Sequence, residues 1–102
     1  MTGSADPEVS AADDDDIGNR APGGRARAVL GYITRALASD PEAVVIDTEE
    51  SGRVVRFKIH VADGDMGRMI GRRGRVAQAI RTLVRLAGSR DGVETNVDFV
   101  DD

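Results

Sequence analysis

The sequence predicts one α+β domain in which a three-stranded sheet carries three helices on one face. Three observations predict it. Some stretches alternate apolar and polar residues, others space their apolar residues by three or four positions, and a chain of 102 residues suffices for one domain. Aromatic residues make up 3% of the chain, so the core must be built from Val, Ile, Leu and Ala. Sheet and helices then bury each other's apolar faces.

The first 24 residues contain six acidic residues, one arginine and almost no large apolar side chain. Such a segment cannot offset the entropy of ordering, so residues 1–24 are predicted to be a disordered acidic tail and residues 25–102 the folded domain. The four aspartates at positions 13–16 allow three interpretations. They are a solvated tail, an intramolecular mimic of nucleic acid, or a metal site, which is least favoured because a floppy tail forms no preorganised cage.

The first helix is predicted at residues 25–39. Leu30, Ile33 and Leu37 follow the spacing of a helical stripe. Pro41 ends the helix, because the residue before a proline avoids the helical region.

Two strands follow, joined by a turn at residues 51–52. Residues 43–50 contain a β-branched cluster, and residues 53–61 alternate apolar and polar side chains, as expected of a half-buried hairpin. The inward-facing side chains of the second strand are predicted to be Val55, Phe57, Ile59 and Val61. His60, the single histidine, is placed on the polar face as a surface residue.

Two helices come next, separated by glycine. Asp65 can cap a short helix at residues 66–70, which Gly71 breaks. A longer helix is predicted at residues 74–87, with Gly88 as its C-terminal stop. Its buried stripe is predicted to be Val76, Ala79, Ile80, Leu83 and Ala87.

The last strand is predicted at residues 93–100. Its inward-facing residues are Val93, Thr95, Val97 and Phe99. The predicted order is therefore helix, strand, strand, helix, helix, strand, with a Gly-x-x-Gly turn between the second and third helices.

This turn lies in the most basic part of the chain. Residues 66–90 contain seven arginines and no acidic residue, although the net charge of the whole chain is −4. Gly71 and Gly74 allow a sharp bend and a close approach of the backbone to a ligand. The N–H groups at the start of the following helix favour an anion. Together these features indicate a binding site for a phosphodiester backbone.

These residues resemble a known family. The order of elements is similar to that of the type II KH domain, and the segment Ile70-Gly71-Arg72-Arg73-Gly74-Arg75-Val76 resembles the KH signature. Residues 65–82 are similar to the corresponding segment of the KhpA family of small bacterial single-KH proteins. The resemblance covers residues 25–102, and the acidic tail lies outside it.

The resemblance implies a non-catalytic protein that binds single-stranded RNA, as an RNA chaperone or post-transcriptional regulator. KH modules hold about four nucleotides between the Gly-x-x-Gly loop and a groove beside it. By position, the resemblance assigns RNA contact or support of the turn to Gly71, Arg72, Arg73, Gly74 and Ile70. Charge and spacing add Arg75, Arg68 and Arg81. The sheet-side wall of the groove is expected from the second strand, near residues 57–61.

The resemblance also implies partners. Members of the family are described as forming homodimers and as pairing with a second KH protein, KhpB, in the control of cell envelope growth and cell shape. An alternative is a dimerisation or protein-interaction subunit in which RNA contact is secondary.

Other classes of function find little support in the sequence. The chain has no cysteine, which fits a cytoplasmic location, and it contains no stretch apolar enough for a membrane span. Its glycines lack the order of a phosphate-binding nucleotide loop. No catalytic triad or set of metal ligands is present, so we expect no enzymatic activity, no cofactor and no metal.

Overall fold

The computed structural model describes residues 22–100. Its elements, in chain order, are α1 (Gly24–Leu37), β1 (Val45–Ser51), β2 (Val54–His60), α2 (Met66–Ile70), α3 (Arg75–Arg90) and β3 (Glu94–Val100). Short 3-10 turns occupy Pro41–Ala43 and Arg72–Gly74. The predicted order and number of elements are confirmed. Most of the predicted acidic tail, residues 1–21, and the two C-terminal aspartates lie outside the described residues.

The sheet has the order β1-β2-β3, so β2 is the central strand. β1 and β2 form the predicted antiparallel hairpin, and β3 pairs with β2 in parallel. The parallel pairing requires a crossover, which α2 and α3 provide. β3 has a neighbouring strand on one side only, and residues of β3 and α3 line a common groove.

The helices cover one face of this sheet. The core consists of Ala26 and Leu30 from α1, Ile80 and Val84 from α3, and the inward side chains Ile46, Val55, Phe57, Ile59 and Val97 of the sheet. The predicted alternation of β2 is confirmed, since Val55, Phe57 and Ile59 are fully buried. No helix within residues 22–100 is both long and apolar enough to cross a membrane.

The opposite face of the sheet carries charges that neutralise one another. Lys58 Nζ lies 3.1 Å from Glu49 Oε2, and the only histidine, His60, lies 3.0 Å from Asp47 through Nε2. Arg56 forms a second ion pair on this face, with Asp98. The prediction that His60 lies on the polar face is confirmed. Because these charges alternate in sign across the strands, this face does not attract a polyanion.

The buried stripe of α3 differs from the prediction. Ala77 and Val84 are buried together with Ile80, whereas Ala79 and Leu83 are exposed. The helix carries apolar residues on two adjacent faces, and both follow a helical period. Packing against α1 and β3 selects one face, which the sequence of α3 alone cannot specify.

The prediction that Gly88 ends α3 is wrong. Gly88 lies inside the helix and is buried. A Cβ built there would lie 2.5 Å from Thr95 Cγ2, so glycine permits the close approach of α3 to β3. The helix ends at Arg90, and Gly92 adopts the left-handed conformation (φ 73°) that ends it.

Candidate nucleic-acid interface

The connection between α2 and α3, residues 71–75, is called here the glycine–arginine loop. Gly71 has φ 74° and ψ 178°, a combination that is essentially restricted to glycine. Gly74 is left-handed, with φ 74° and ψ 13°. Arg73 between them has φ 55°, the only positive value at a non-glycine residue within residues 22–100. Three positive φ angles within four residues produce the sharp turn between the helices.

The two glycines have different physical roles. A Cβ at Gly71 would collide with Val76 and lie 2.7 Å from Val76 Cβ. A Cβ at Gly74 would meet no described atom within 4 Å. Gly71 is therefore required by the packing of the domain itself, whereas the backbone at Gly74 is open to a ligand.

This difference predicts the effects of two alanine substitutions. Gly71→Ala is expected to lower the free energy of unfolding by about 1–3 kcal/mol, because the clash with Val76 adds to backbone strain. Gly74→Ala carries only the left-handed strain, about 1 kcal/mol. Urea unfolding of both variants checks this order. Equal loss of stability, or a greater loss for Gly74→Ala, would contradict the assigned roles.

The loop carries positive charges that the described domain does not neutralise. Arg72, Arg73 and Arg75 are exposed, and none of their guanidinium groups forms an ion pair with a carboxylate in residues 22–100. The N-terminus of α3 has neither a side-chain cap nor an acidic residue in its first turn. The dipole of α3 and the arginines therefore favour an anion at the same place.

Apolar side chains on both sides hold the loop in place. Met69 is fully buried, and Val76 packs against Gly71. Ile70, predicted as apolar support, is partly buried. Met69 was not singled out from the sequence, because the adjacent Ile70 fits the family signature. Only the rotation of α2 determines which of the two enters the core.

The aspartate before α2 has a different role from the one predicted. Asp65 occupies the N-cap position, but its side chain makes no capping hydrogen bond. It is 1% exposed, and its carboxylate accepts hydrogen bonds from Ser39 Oγ (2.7 Å), Ser39 N (3.1 Å) and Asp40 N (3.1 Å). Arg68 Nε lies 3.5 Å away. Asp65 therefore ties the segment after α1 to the start of α2.

These bonds affect the titration of the carboxylate. The Ser39 hydroxyl and then the Ser39 N–H hold the pKa of Asp65 below its usual 3.8, burial opposes them, and Asp40 N–H and Arg68 contribute further lowering. The role of this residue was missed because its partners lie 25 and 26 positions away in sequence. Arg68, predicted as an RNA contact, is 62% exposed and already faces this carboxylate.

A polar groove of about 310 Å³ runs beside α3. It is lined by Arg81 and Arg85 of α3 and by Thr95, Asn96, Val97 and Asp98 of β3. The predicted wall near residues 57–61 does not line this groove, because Phe57 and Ile59 are fully buried in the central strand. The edge strand β3 forms the sheet-side wall instead.

Arg81 lies in this groove and away from the glycine–arginine loop. It follows Gly74 by seven positions, about 10 Å along the helix axis. Its Nε donates to Val97 O at 3.1 Å, and its Cζ lies 5.7 Å from the centroid of the Phe99 ring. The structure thus brings together Ile70 and residues 71–75 at the turn, while Arg81 belongs to the adjacent groove.

Comparisons with known proteins agree with this architecture. The family model described as KhpA/KhpB, KH domain matches residues 27–99. RNA-binding protein KhpA of Listeria monocytogenes is 41% identical over 69 residues, which cover 68% of this chain and 91% of that protein. RNA-binding protein KhpA of Chlamydia trachomatis is 34% identical over 73 residues (72% and 94%). The protein of the same name from Caldanaerobacter subterraneus is 37% identical over 68 residues (67% and 91%).

Proposed function

This chain belongs to the KhpA/KhpB family of KH domains, and on that premise we propose that it binds single-stranded RNA and catalyses no reaction. The observation that carries the proposal is the glycine–arginine loop. Three exposed arginines without carboxylate partners in the described domain surround the uncapped N-terminus of a 16-residue helix. A phosphodiester backbone supplies the anions that such a loop binds.

The groove beside α3 continues the binding surface. Gly74, Gln78, Arg81 and Arg85 are spaced by four, three and four positions, so they share one face of the helix. An RNA strand whose phosphates lie at the loop can therefore extend along α3, with its bases between α3 and β3. This arrangement supports contact with about four nucleotides, as in other KH modules.

The same proposal includes the location, the role and the partners of the protein. The protein is proposed to be cytoplasmic and to act as an RNA chaperone or post-transcriptional regulator. It would do so with a KhpB-like partner or a second copy of itself, in the control of cell envelope growth and cell shape. The same proposal divides the chain into an acidic N-terminal tail, residues 1–24, and a KH domain, residues 25–102, although α1 already begins at Gly24. The shared family with proteins named RNA-binding protein KhpA supports the RNA-binding part.

A second candidate function is a protein-interaction subunit. The helical surface exposes large apolar side chains: Tyr32 is 78% exposed, Leu86 60% and Leu83 47%. A groove of about 600 Å³ between α1 and α3 is lined by Arg25, Ala28, Val29, Leu86, Ala87 and Arg90. Of these three side chains, Leu86 lines the groove. Exposed apolar side chains favour a protein partner, and no residue of the glycine–arginine loop lines this groove.

Crosslinking in cells, followed by sequencing of the bound RNA, tests the proposal. We expect wild type to recover specific RNA and Arg72→Asp/Arg73→Asp to recover background levels. Leu86→Asp alters the apolar surface and leaves the loop intact, so its purified form should retain RNA affinity. Background recovery by wild type would refute RNA binding as the main role. If cells carrying Leu86→Asp alone then lost normal cell shape, that result would favour the protein-interaction subunit.

A further inference from the structure

Arg81 differs from the arginines of the glycine–arginine loop because its guanidinium group is fixed in place. Nε is bound to Val97 O, and the group lies over the Phe99 ring. Arg72, Arg73 and Arg75 are exposed, whereas Arg81 is partly buried. A fixed guanidinium loses little side-chain entropy when it binds a ligand, which suits a contact that must discriminate between ligands.

Most N–H donors of the Arg81 guanidinium group have no acceptor in the described part of the chain. A guanidinium carries five N–H donors in a rigid plane, and the hydrogen bond to Val97 O uses the one on Nε. The four N–H donors on the two Nη atoms have no hydrogen-bond acceptor among residues 22–100, and no carboxylate of this part of the chain pairs with Arg81. Because a partly buried donor gains most from a good acceptor, the groove suits a ligand rich in acceptors.

The surroundings of Arg81 suit a base. Asp98 lines the same groove, but its carboxylate pairs with Arg56 on the outer face of the sheet. Thr95 and Asn96 add neutral polar groups. We expect phosphates instead at the glycine–arginine loop, about 10 Å away along α3. No carboxylate of residues 22–100 neutralises the arginines there. If phosphates bind at the loop, as proposed above, the groove is left to the bases.

We propose that Arg81 recognises the edge of one base of the bound RNA and confers a preference for guanine or cytosine. This inference rests on the proposed function. A planar pair of donors matches two adjacent acceptors, which guanine presents through O6 and N7 and cytosine through O2 and N3. Adenine and uracil place a donor beside each acceptor on the corresponding edges, so one N–H of Arg81 would face another donor.

The test uses fluorescein-labelled RNA octamers: oligouridine, and the same octamer with one central guanine, cytosine or adenine. Fluorescence anisotropy with the full-length protein gives the four dissociation constants. We expect the guanine and cytosine octamers to bind about 5-fold to 50-fold more tightly than the other two. Arg81→Met keeps an unbranched side chain and removes every donor, so its four affinities should agree within about 2-fold.

Arg85→Met is the matched control. Arg85 lies on the same helix face and lines the same groove, and its substitution removes the same charge. It should weaken binding of all four octamers alike and keep the preference. Thermal unfolding of both variants separates folding from recognition.

The outcomes distinguish this inference from the function on which it rests. Equal binding of the four octamers by wild type would overturn the role of Arg81 and leave RNA binding intact. Loss of the preference in Arg85→Met, or its retention in Arg81→Met, would also overturn it. Absence of binding to every octamer would refute the proposed function itself.

Discussion

Replacing Arg72 and Arg73 together by aspartate is expected to raise the dissociation constant for single-stranded RNA by about 100-fold or more. Each arginine is expected to make a charge-assisted hydrogen bond, about 1.5–3 kcal/mol, and both bonds are lost. The two new carboxylates also repel the phosphates. Because two phosphate contacts disappear, the slope of log K against log salt should become shallower by about 1.4. Anisotropy titrations at several salt concentrations measure both quantities.

The double variant should still fold. Neither arginine forms an ion pair with a carboxylate in residues 22–100, and both side chains are exposed. Arg73 has φ 55°, a conformation in which aspartate is enriched among non-glycine residues. We therefore expect an unchanged circular dichroism spectrum and a thermal midpoint close to that of wild type.

Arg53→Asp/Arg90→Asp is the matched control, since it changes the net charge by the same amount. Both arginines are exposed. Arg90 ends α3, about 22 Å along the axis from the first residue of that helix. Arg53 precedes β2, at the end of that strand away from α2. We expect this control to weaken binding far less than the loop variant. Equal weakening by both would show that RNA responds to overall charge and would contradict a local site.

The strands and the loop could be predicted because their signals are local. Val55, Phe57 and Ile59 alternate with polar residues, and a period of two places one set on the core face whatever the rest of the fold does. The turn at Gly71 is also encoded locally, since its φ and ψ values are accessible to glycine and strained for other residues.

Other features depend on contacts between distant segments. Gly88 suits a helix stop by sequence, but its lack of a Cβ serves the contact with Thr95 of β3. The apolar faces of α3 satisfy the same period, so the choice of Val84 over Leu83 follows from packing. The groove wall was assigned to β2 because the sequence does not give the order of the strands. Because β3 adds in parallel beside β2, β3 and not β2 lines the groove beside α3.

Asp65→Asn is expected to lower the thermal midpoint by about 5 °C or more. The carboxylate accepts from Ser39 through Oδ1 and from Asp40 through Oδ2. An amide replaces one acceptor oxygen by an N–H₂ group, so one of these donors would face another donor. Leaving a partly buried donor without an acceptor costs more than the hydrogen bond itself contributes.

The pH dependence of this variant tests the cause. The pKa of Asp65 is lowered in the folded protein, so its ionised form stabilises the fold. That contribution is fully present above the usual carboxyl pKa of 3.8 and is lost as the pH falls through the lower folded value. The difference in thermal midpoint between wild type and Asp65→Asn should therefore be constant from pH 7 to about pH 5 and shrink below about pH 4.

Asp63→Asn provides the control, because Asp63 is exposed and makes no hydrogen bond or ion pair within the described part of the chain. It removes the same charge two residues earlier, and its thermal midpoint should follow that of wild type at every pH. If Asp63→Asn and Asp65→Asn lower the thermal midpoint equally, the change in net charge explains the loss. The hydrogen bonds of Asp65 to Ser39 and Asp40 would then not be its cause. If the difference for Asp65→Asn does not shrink at all as the pH falls below about 4, loss of packing is responsible, because protonation of Asp65 must reduce the advantage of its carboxylate.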